Sequence, residues 1–267
     1  MSSASIRSIR RRGRALALGL AAVGAGALAP AAVAADFTPY RFDDPVPDGC
    51  AANDCSLREA VIDANASGDL LDRVLLPPGT YTLSLVGDED ASLTGDLDLF
   101  SGGAIEVRGT GAAPADTVIL APPGERHLDV LGTLEGRVIN LTLRGGEDTV
   151  GGAIRNDSEL IVRRVVFDQN DAGDGGAIHS SEDDARVTIE DSTFTGNRAT
   201  GSSGGAIHNE SASTVVVARS SFTGNTALSR GGAVFNQNEG TVVVSDGRFE
   251  GNRAEGGGSR DGGALFT

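Results

Sequence analysis

The strongest constraint on this chain is a short sequence unit that recurs at a fixed period in its second half. A Gly-Gly-Ala-aliphatic signature begins at Gly151, Gly175, Gly204, Gly231 and Gly262. A Phe-x-x-Asn signature alternates with it, and its phenylalanines lie 27, 28 and 27 positions apart. So regular a period indicates one supersecondary unit stacked on copies of itself. The sequence therefore predicts an all-β fold of stacked coils over residues 73–267, with irregular coils to about 146 and regular repeats from about 147.

Equivalent side chains of stacked coils lie about 4.8 Å apart and form columns. We expect one aromatic column and one column of amide side chains that bond to one another and to the backbone. The paired glycines suit a turn that needs positive φ or close backbone approach. Both columns are predicted to be structural, and their members are Phe167, Phe194, Phe222 and Phe249 for the rings and Asn170, Asn197, Asn225 and Asn252 for the amides.

Residues 1–34 have the three parts of a secretory signal peptide: an arginine-rich start, an Ala/Leu/Gly run and an Ala32-Val33-Ala34 cleavage site. We expect cleavage before Ala35 and export to the extracellular space or the outer-membrane surface. A membrane anchor is the alternative, but the run is weakly apolar and Pro30 interrupts it. The mature chain is predicted to have no transmembrane segment.

Residues 35–72 form a predicted N-terminal segment that closes the first coil. Cys50 and Cys55 are the only cysteines, and export favours a disulfide between them. A zinc site is the alternative, but no histidine lies nearby to complete it. Ser56 and Glu59 fit a capping box, and an apolar stripe follows on a helix that ends at Gly68. Such a helix covers the open strand edges of the first coil.

Two groups of motifs resemble known bacterial families. Cys55-Ser56-Leu57-Arg58-Glu59-Ala60, followed by Ala64-Asn65, resembles the motif that names the CSLREA-domain proteins. The GGA[ILV] and FxxN units are similar to the repeats of the chlamydial polymorphic outer membrane proteins. The resemblance spans about residue 48 to the last residue. It implies a right-handed parallel β-helix on the cell surface or released from it.

One repeat position, the first residue after the aliphatic one of each Gly-Gly-Ala signature, holds Arg155, His179, His208 and Phe235. Strand alternation turns this position outward, so we expect these side chains on a solvent face available for recognition. The two histidines lie one coil apart and could share a metal ion or a proton. His127 has no predicted partner. Loops at 171–174, 198–203, 226–230 and 253–261 are further candidates for recognition.

Calcium is the one cofactor that the sequence suggests, through the acidic residues of one stretch. Asp88, Asp90, Asp96 and Asp98 offer carboxylate oxygens. Their spacing fits no EF-hand loop, and runs of charge are usually only hydrated. Apart from calcium, no cofactor is predicted.

Charge restricts the partners. Without the arginines of residues 1–34, the chain has 17 basic residues and 37 acidic ones, and it has no lysine. Such a surface repels nucleic acid and anionic membranes. We predict a non-catalytic, adhesin-like or structural protein whose partner is a surface protein or a glycan. Because the sequence stops as a coil begins, it also suggests a truncation or head-to-tail association through an uncapped last coil.

The alternative is a polysaccharide lyase or glycoside hydrolase acting on an acidic glycan, because pectin lyases and polygalacturonases are also right-handed β-helices. A hydrolase needs paired carboxylates at one bond. The pattern predicts no Asp pair on consecutive strands, which leaves Asp183 in a loop and Arg163 as a base. Only two tyrosines and no tryptophan are present for stacking on sugars. The sequence therefore favours a protein that is not an enzyme.

Overall fold

The computed structural model describes residues 34–87, 89–100, 102–122, 124–132, 135–256 and 262–267. The predicted signal peptide lies outside this part, apart from Ala34. Residues 32–267 form one compact unit. Within the described ranges, no helix combines the length and the apolar character that crossing a membrane requires.

The elements of the first part are β1 Ala35–Phe37, α1 Leu57–Ser67, β2 Leu71–Leu76, β3 Gly79–Thr82, β4 Leu97–Leu99, β5 Ala104–Gly109, a 3-10 turn Pro114–Asp116, β6 Thr117–Leu120, β7 Leu128–Val130, β8 Glu135–Ile139 and β9 Thr142–Arg144. Those of the regular part are β10 Glu147–Val150, β11 Ile154–Asn156, β12 Glu159–Arg163, β13 Val166–Asp168, β14 Asp171–Asp174, β15 Ile178–Ser180, β16 Arg186–Glu190, β17 Thr193–Thr195, β18 Arg198–Ala199, β19 Ile207–Asn209, β20 Thr214–Ala218, β21 Ser221–Thr223, β22 Thr226–Ala227, β23 Val234–Asn236, β24 Thr241–Ser245, β25 Arg248–Glu250, β26 Arg253–Ala254 and β27 Leu265–Phe266.

Four parallel sheets run along the stack, and neighbouring strands in each sheet come from successive coils. Sheet A is ordered β1-β2-β5-β8-β12-β16-β20-β24, and sheet B is ordered β3-β6-β9-β13-β17-β21-β25. Sheet C is ordered β4-β7-β11-β15-β19-β23-β27, and sheet D is ordered β10-β14-β18-β22-β26. The sheets enclose one continuous apolar core. The predicted β-helix with a helix near its N-terminus is confirmed.

The aromatic column occupies the inner face of sheet B. Its phenylalanines are register partners in consecutive strands. Neighbouring ring centroids lie 4.5, 4.6 and 4.8 Å apart, and the planes are nearly parallel. Phe167, Phe194 and Phe222 are fully buried, whereas Phe249 in the last coil is partly buried. The ring stack therefore fixes the vertical alignment of the coils.

The amide column follows each phenylalanine at the corner between sheets B and D. Asn197 Oδ1 accepts hydrogen bonds from the backbone N–H and from the side-chain amide of Asn170. Asn197 Nδ2 donates to Asn225 Oδ1 at 2.9 Å and to the Phe167 carbonyl at 3.1 Å. The same pattern repeats between Asn225 and Asn252. Each corner is thus tied to the next coil by side-chain as well as backbone hydrogen bonds.

A second polar column inside the stack had no counterpart in the sequence prediction. It lies two residues after the aliphatic residue of each Gly-Gly-Ala signature, at the end of the strands of sheet C. Asn209 Nδ2 donates to Asn236 Oδ1 at 2.7 Å, and Asn156 Nδ2 donates to Ser180 Oγ at 3.2 Å. The recurrence of Asn at this position is the signal that identifies the column.

The regular coil contains four strands, one in each sheet. The segments interpreted as recognition loops begin with β14, β18, β22 and β26, which pair with one another in sheet D. Ala172, Ala199 and Ala227 point into the core from these strands. Their backbone groups pair from coil to coil, so the loop interpretation was wrong for 171–174 and for the first residues of the other three segments.

The two glycines of each Gly-Gly pair serve different purposes. The first glycine adopts φ between 52° and 71° in the five signatures, a range that favours glycine. The second lies against backbone of the neighbouring coil. A Cβ added at Gly152 would stand 2.4 Å from the Asp171 carbonyl oxygen, and one added at Gly176 would stand 2.3 Å from that of Gly205. Any side chain at Gly152, Gly176, Gly205 or Gly232 would therefore separate the coils, whereas a Cβ at Gly263 would come no closer than 3.5 Å to another atom.

The irregular coils differ from expectation at one corner. The apolar run 138–143 reads as one strand, but β8 ends at Ile139 and β9 begins at Thr142. Asn140 between them has φ 55° and donates its side-chain amide to the carbonyls of Gly109 and Gly111. This amide supports the corner that separates sheets A and B.

The N-terminal segment contains the predicted helix and disulfide, and its role in closing the stack stays a prediction. Ser56 caps α1 within a complete capping box, and Gly68 ends the helix with φ 72°. A disulfide joins Cys50 and Cys55. The segment also supplies β1, which pairs with β2 and so begins sheet A. At the other end, Val242, Val244 and Phe249 are partly buried, and head-to-tail association there stays a prediction.

We expect Asn197→Ala to lower the free energy of unfolding by about 3 kcal/mol, because it leaves the buried Asn170 N–H without its acceptor and removes a hydrogen bond to the Phe167 carbonyl. Chemical denaturation followed by circular dichroism measures the loss. Asn252→Ala is the matched control, because the same amide in the last coil is only half-buried, and its loss should be about 1 kcal/mol. Equal losses in the two variants would contradict the role given to buried pairing.

Candidate functional site

One outward-facing column runs the length of sheet C. Strand registers place its members directly above one another, each flanked by an inward aliphatic residue such as Ile178 or Ile207. The chemical character changes along the column from acidic to basic, then to imidazole, then to aromatic. In chain order the column, called here the sheet C column, consists of Asp98, Asp129, Arg155, His179, His208, Phe235 and Phe266.

The predicted solvent exposure of this column was wrong. His179, His208 and Phe235 are 5%, 3% and 3% exposed, although they point away from the core. Their rings cover one another, and the corner at Gly175 passes so close that a Cβ there would lie 3.1 Å from His208 Cβ. Arg155 is the partial exception, with its side chain 35% exposed. Most of the column is therefore buried and does not form an open face.

Three carboxyl groups meet at the acidic end of the column. Asp98 and Asp129 are register partners, and Asp96 joins them, each offering one oxygen within 4.8 Å of the others. Asp98 Oδ2 accepts from the Ser92 backbone N–H at 2.7 Å. The other oxygen of Asp98 and Asp129 Oδ1 are buried and have no hydrogen-bond partner among the described residues. Such an arrangement suits a shared proton or a hard cation.

The expectation that no two aspartates pair on consecutive strands was therefore wrong. The two strands belong to irregular coils, where no period aligns Asp98 with Asp129. Among the calcium candidates, Asp96 and Asp98 come together, while Asp90 is exposed and is not in this group. Asp88 lies outside the described residues. Calcium binding by this group stays a prediction.

Two arginines separate these acids from the solvent. Arg126 contacts Asp96 through Nε at 2.7 Å and Asp148 through Nη2 at 2.9 Å. Arg155 contacts Asp129 at 3.3 Å and Asp157 at 2.6 Å. Both arginines line a pocket of about 670 Å³. Val86, Asp96 and Asp148 contribute to its walls. The pocket thus presents fixed positive charges in front of a buried carboxyl group.

Burial is the main influence on the protonation of the acidic group. It raises the pKa of Asp98 to about 8, against the opposing hydrogen bond from Ser92. It also raises the pKa of Asp129 to about 7, although Arg126 and Arg155 act in the opposite direction. The pKa of Asp96 rises to about 6 for the same reason. Near neutral pH Asp98 therefore retains its proton and Asp129 is partly protonated, whereas Asp96 beside Arg126 is mainly ionised.

Arg58 positions the acidic group, a role that sequence reasoning missed. Its guanidinium is fully buried and makes a two-pronged ion pair with Asp44 at 2.7 and 2.9 Å. The remaining N–H groups donate to the carbonyls of Ser92, Thr94, Gly95 and Asp96. The capping box already explained Ser56 and Glu59, so nothing in the sequence indicated a further role for Arg58. It connects α1 to the segment that carries Asp96 and Asp98.

The remaining candidates from the sequence lie apart from this group. Arg163 is on sheet A and pairs with Glu190 at 3.0 Å. Asp183 lies in a turn and accepts from the Ala212 N–H. His127, for which no partner was expected, is fully buried, and its Nε2 lies 3.1 Å from the carbonyls of Ile119 and Arg144. Burial lowers its pKa to about 4, which keeps the ring neutral.

The two histidines of the column lie one coil apart, with ring centroids separated by 5.0 Å. Asp174 approaches His208 Nδ1 from one side, and Glu210 approaches both rings from the other. Burial, followed by the neighbouring His208, lowers the pKa of His179 to about 4. The His179 ring is therefore neutral under ordinary conditions and offers a nitrogen lone pair.

A family model described as the Chlamydia polymorphic membrane protein repeat matches residues 191–210 and 219–237. Each matched segment runs from sheet B through sheet D to sheet C and includes both signatures. The predicted repeat similarity is confirmed over these residues. No curated protein and no solved structure matches the chain.

Because the pKa of Asp98 is raised, the folded state holds a proton between about pH 4 and 8 that the unfolded state releases. Its contribution to stability is thus full below about pH 4 and lost as the pH rises to about 8. We expect Asp98→Asn to stabilise the protein relative to wild type by an amount that grows across this window. Urea unfolding at several pH values measures it, with the exposed Asp183→Asn as control. A pH-independent difference would contradict the assignment.

Proposed function

We propose that this protein is a non-catalytic, adhesin-like β-solenoid, exported to the cell surface or the medium, that binds a glycan in the pocket at the acidic end of the sheet C column. Similarity to the polymorphic membrane protein repeat supports a surface location. The N-terminal signal-peptide pattern supports export. The resemblance of residues 55–65 to the CSLREA motif supports membership of that bacterial group.

The observation that carries the proposal is the pocket lined by Arg126 and Arg155. Guanidinium groups donate paired hydrogen bonds to carboxylates and hydroxyls, which are the groups that acidic glycans present. Their present partners are carboxylates, so a ligand carboxylate that binds an arginine replaces one charge by another of the same sign. Asp96, Glu125 and Asp148 also line the pocket, so the two arginines are its groups that attract an anionic ligand.

We expect the tag-free mature protein to bind a subset of acidic glycans on a glycan microarray, and Arg155→Gln to weaken that binding roughly tenfold or more. Arg163→Gln is the matched control, since it removes an ion-paired arginine from sheet A, away from the pocket. Circular dichroism verifies that both variants fold. Binding that resists Arg155→Gln, or that falls equally in both variants, would place the ligand elsewhere.

A second candidate function, hydrolysis of an acidic glycan, is favoured by the stacked carboxyl groups of Asp98 and Asp129. Retaining glycosidases place their two carboxyl groups about 5 Å apart and keep one protonated. The oxygens here lie within 4.8 Å, and the two pKa values are raised to different extents. Both carboxyls are buried and Arg155 contacts Asp129, so a substrate must displace that side chain to reach them. We therefore rank hydrolysis below binding.

If the second candidate is right, the mature protein releases reducing ends from an acidic polysaccharide such as polygalacturonate or alginate, and Asp129→Asn lowers the rate by a factor of about 100 or more. A reducing-sugar assay measures release, and an absorbance assay for unsaturated uronate covers a lyase. Asp183→Asn, which changes an exposed aspartate, should leave the rate unchanged. Activity that survives Asp129→Asn would rule out Asp98 and Asp129 as the catalytic pair. If the protein turns over none of the glycans that it binds, the hydrolase candidate is wrong and the binding function stands.

A further inference from the structure

The histidine pair of the sheet C column has a third partner with matching chemistry. Glu210 follows β19 directly, and its Oε1 lies 3.5 Å from His179 Nε2. Its Oε2 lies 3.7 Å from His208 Nε2. One ligand atom of each residue lies within 4.8 Å of the other two. Two imidazole nitrogens and one carboxylate oxygen therefore converge on one point.

The surroundings of His208 fix the nitrogen that faces this point. Asp174 Oδ1 lies 3.3 Å from Nδ1 on the far side of the ring, where it favours a proton on Nδ1. The Gln237 side-chain amide nitrogen lies 3.3 Å from Nε2 and donates to it. The lone pair of Nε2 therefore points toward the side where Gln237 and Glu210 lie, and a bound ion would replace the Gln237 N–H as its partner. A carboxylate behind a ligating histidine is the usual support of a metal-bound imidazole.

His179 completes the arrangement from the preceding coil. Its Nδ1 is buried and has no hydrogen-bond partner among the residues that the structure describes. The ring is held by its outward place on β15 between Arg155 and His208. Glu210 is partly exposed, with 28% of its side chain accessible, and so provides a route from solvent. The strand register thus preorganises the two histidines, and Glu210 lies beside them with its Oε2 accepting from the Gln237 side-chain amide at 2.7 Å.

We propose that His179, His208 and Glu210 bind a divalent transition-metal ion of the zinc type, with Asp174 orienting His208. Two imidazoles and one carboxylate form a donor set that zinc accepts in tetrahedral sites with one open position. Nitrogen ligands disfavour calcium and magnesium, which prefer oxygen. The inference goes beyond glycan binding, because the site lies two coils from Asp129 and uses none of the pocket residues named above.

The test is isothermal titration of zinc chloride into tag-free mature protein that has been stripped with EDTA, near neutral pH. We expect one zinc ion per chain. His208→Gln should abolish binding, because it removes one ligand. Glu210→Gln should weaken it at least tenfold, and Asp174→Asn should weaken it by about 10- to 100-fold through the loss of orientation. Glu182→Gln is the matched control, because Glu182 is an exposed acid of the preceding turn.

Further measurements keep the inference testable if His208→Gln does not fold. Circular dichroism verifies the fold of each variant, and the partly exposed Glu210 then decides the result. Zinc should also raise the melting temperature of wild type but not that of Glu210→Gln. Zinc that does not bind, or that binds Glu210→Gln and Glu182→Gln equally well, overturns the proposal. Calcium binding that competes with zinc at equal concentration overturns it as well.

Discussion

Backbone hydrogen bonds between equivalent residues of successive coils are the interaction on which every other feature of this molecule depends. A slip of one residue would exchange inward and outward side chains, so each column exists only in one register. The buried amides of Asn170, Asn197 and Asn225 enforce that register, because each binds the coil on either side. The phenylalanine stack adds apolar burial in the same alignment. Stability and site geometry thus have a common origin.

The sheet C column shows how a repetitive backbone acquires local chemistry. Inward positions repeat the same residues because the core requires them, whereas the outward position carries acid, arginine, histidine or phenylalanine. Neighbouring turns then determine what each group does. Arg58 orders the segment beside Asp98, and Asp174 and Glu210 flank the histidines. The column supplies reactive groups at fixed spacing, and the corners supply their partners.

The periodic part of the fold was predictable, because residues at the same phase of the repeat occupy the same place in each coil. The phenylalanine and asparagine columns follow from this rule alone. The burial of His179 and His208 was not predictable, because it comes from the Gly175 corner and from neighbouring rings rather than from strand alternation. The pairing of Asp98 with Asp129 escaped detection for another reason, since irregular coils have no common phase. Sheet D was missed because its two- to four-residue strands resemble loops in sequence.

The parallel pairing of sheet C also sets the distance between the acidic pocket and the histidine pair. Asp129 and His179 are separated by two steps of the ladder through Arg155, or roughly 10 Å. Inserting or deleting one complete coil between them changes this distance by one inter-strand step of about 4.8 Å and leaves the local geometry around both residues intact. A gene that gains or loses whole repeats can therefore change the distance between two binding groups without changing the residues of either group.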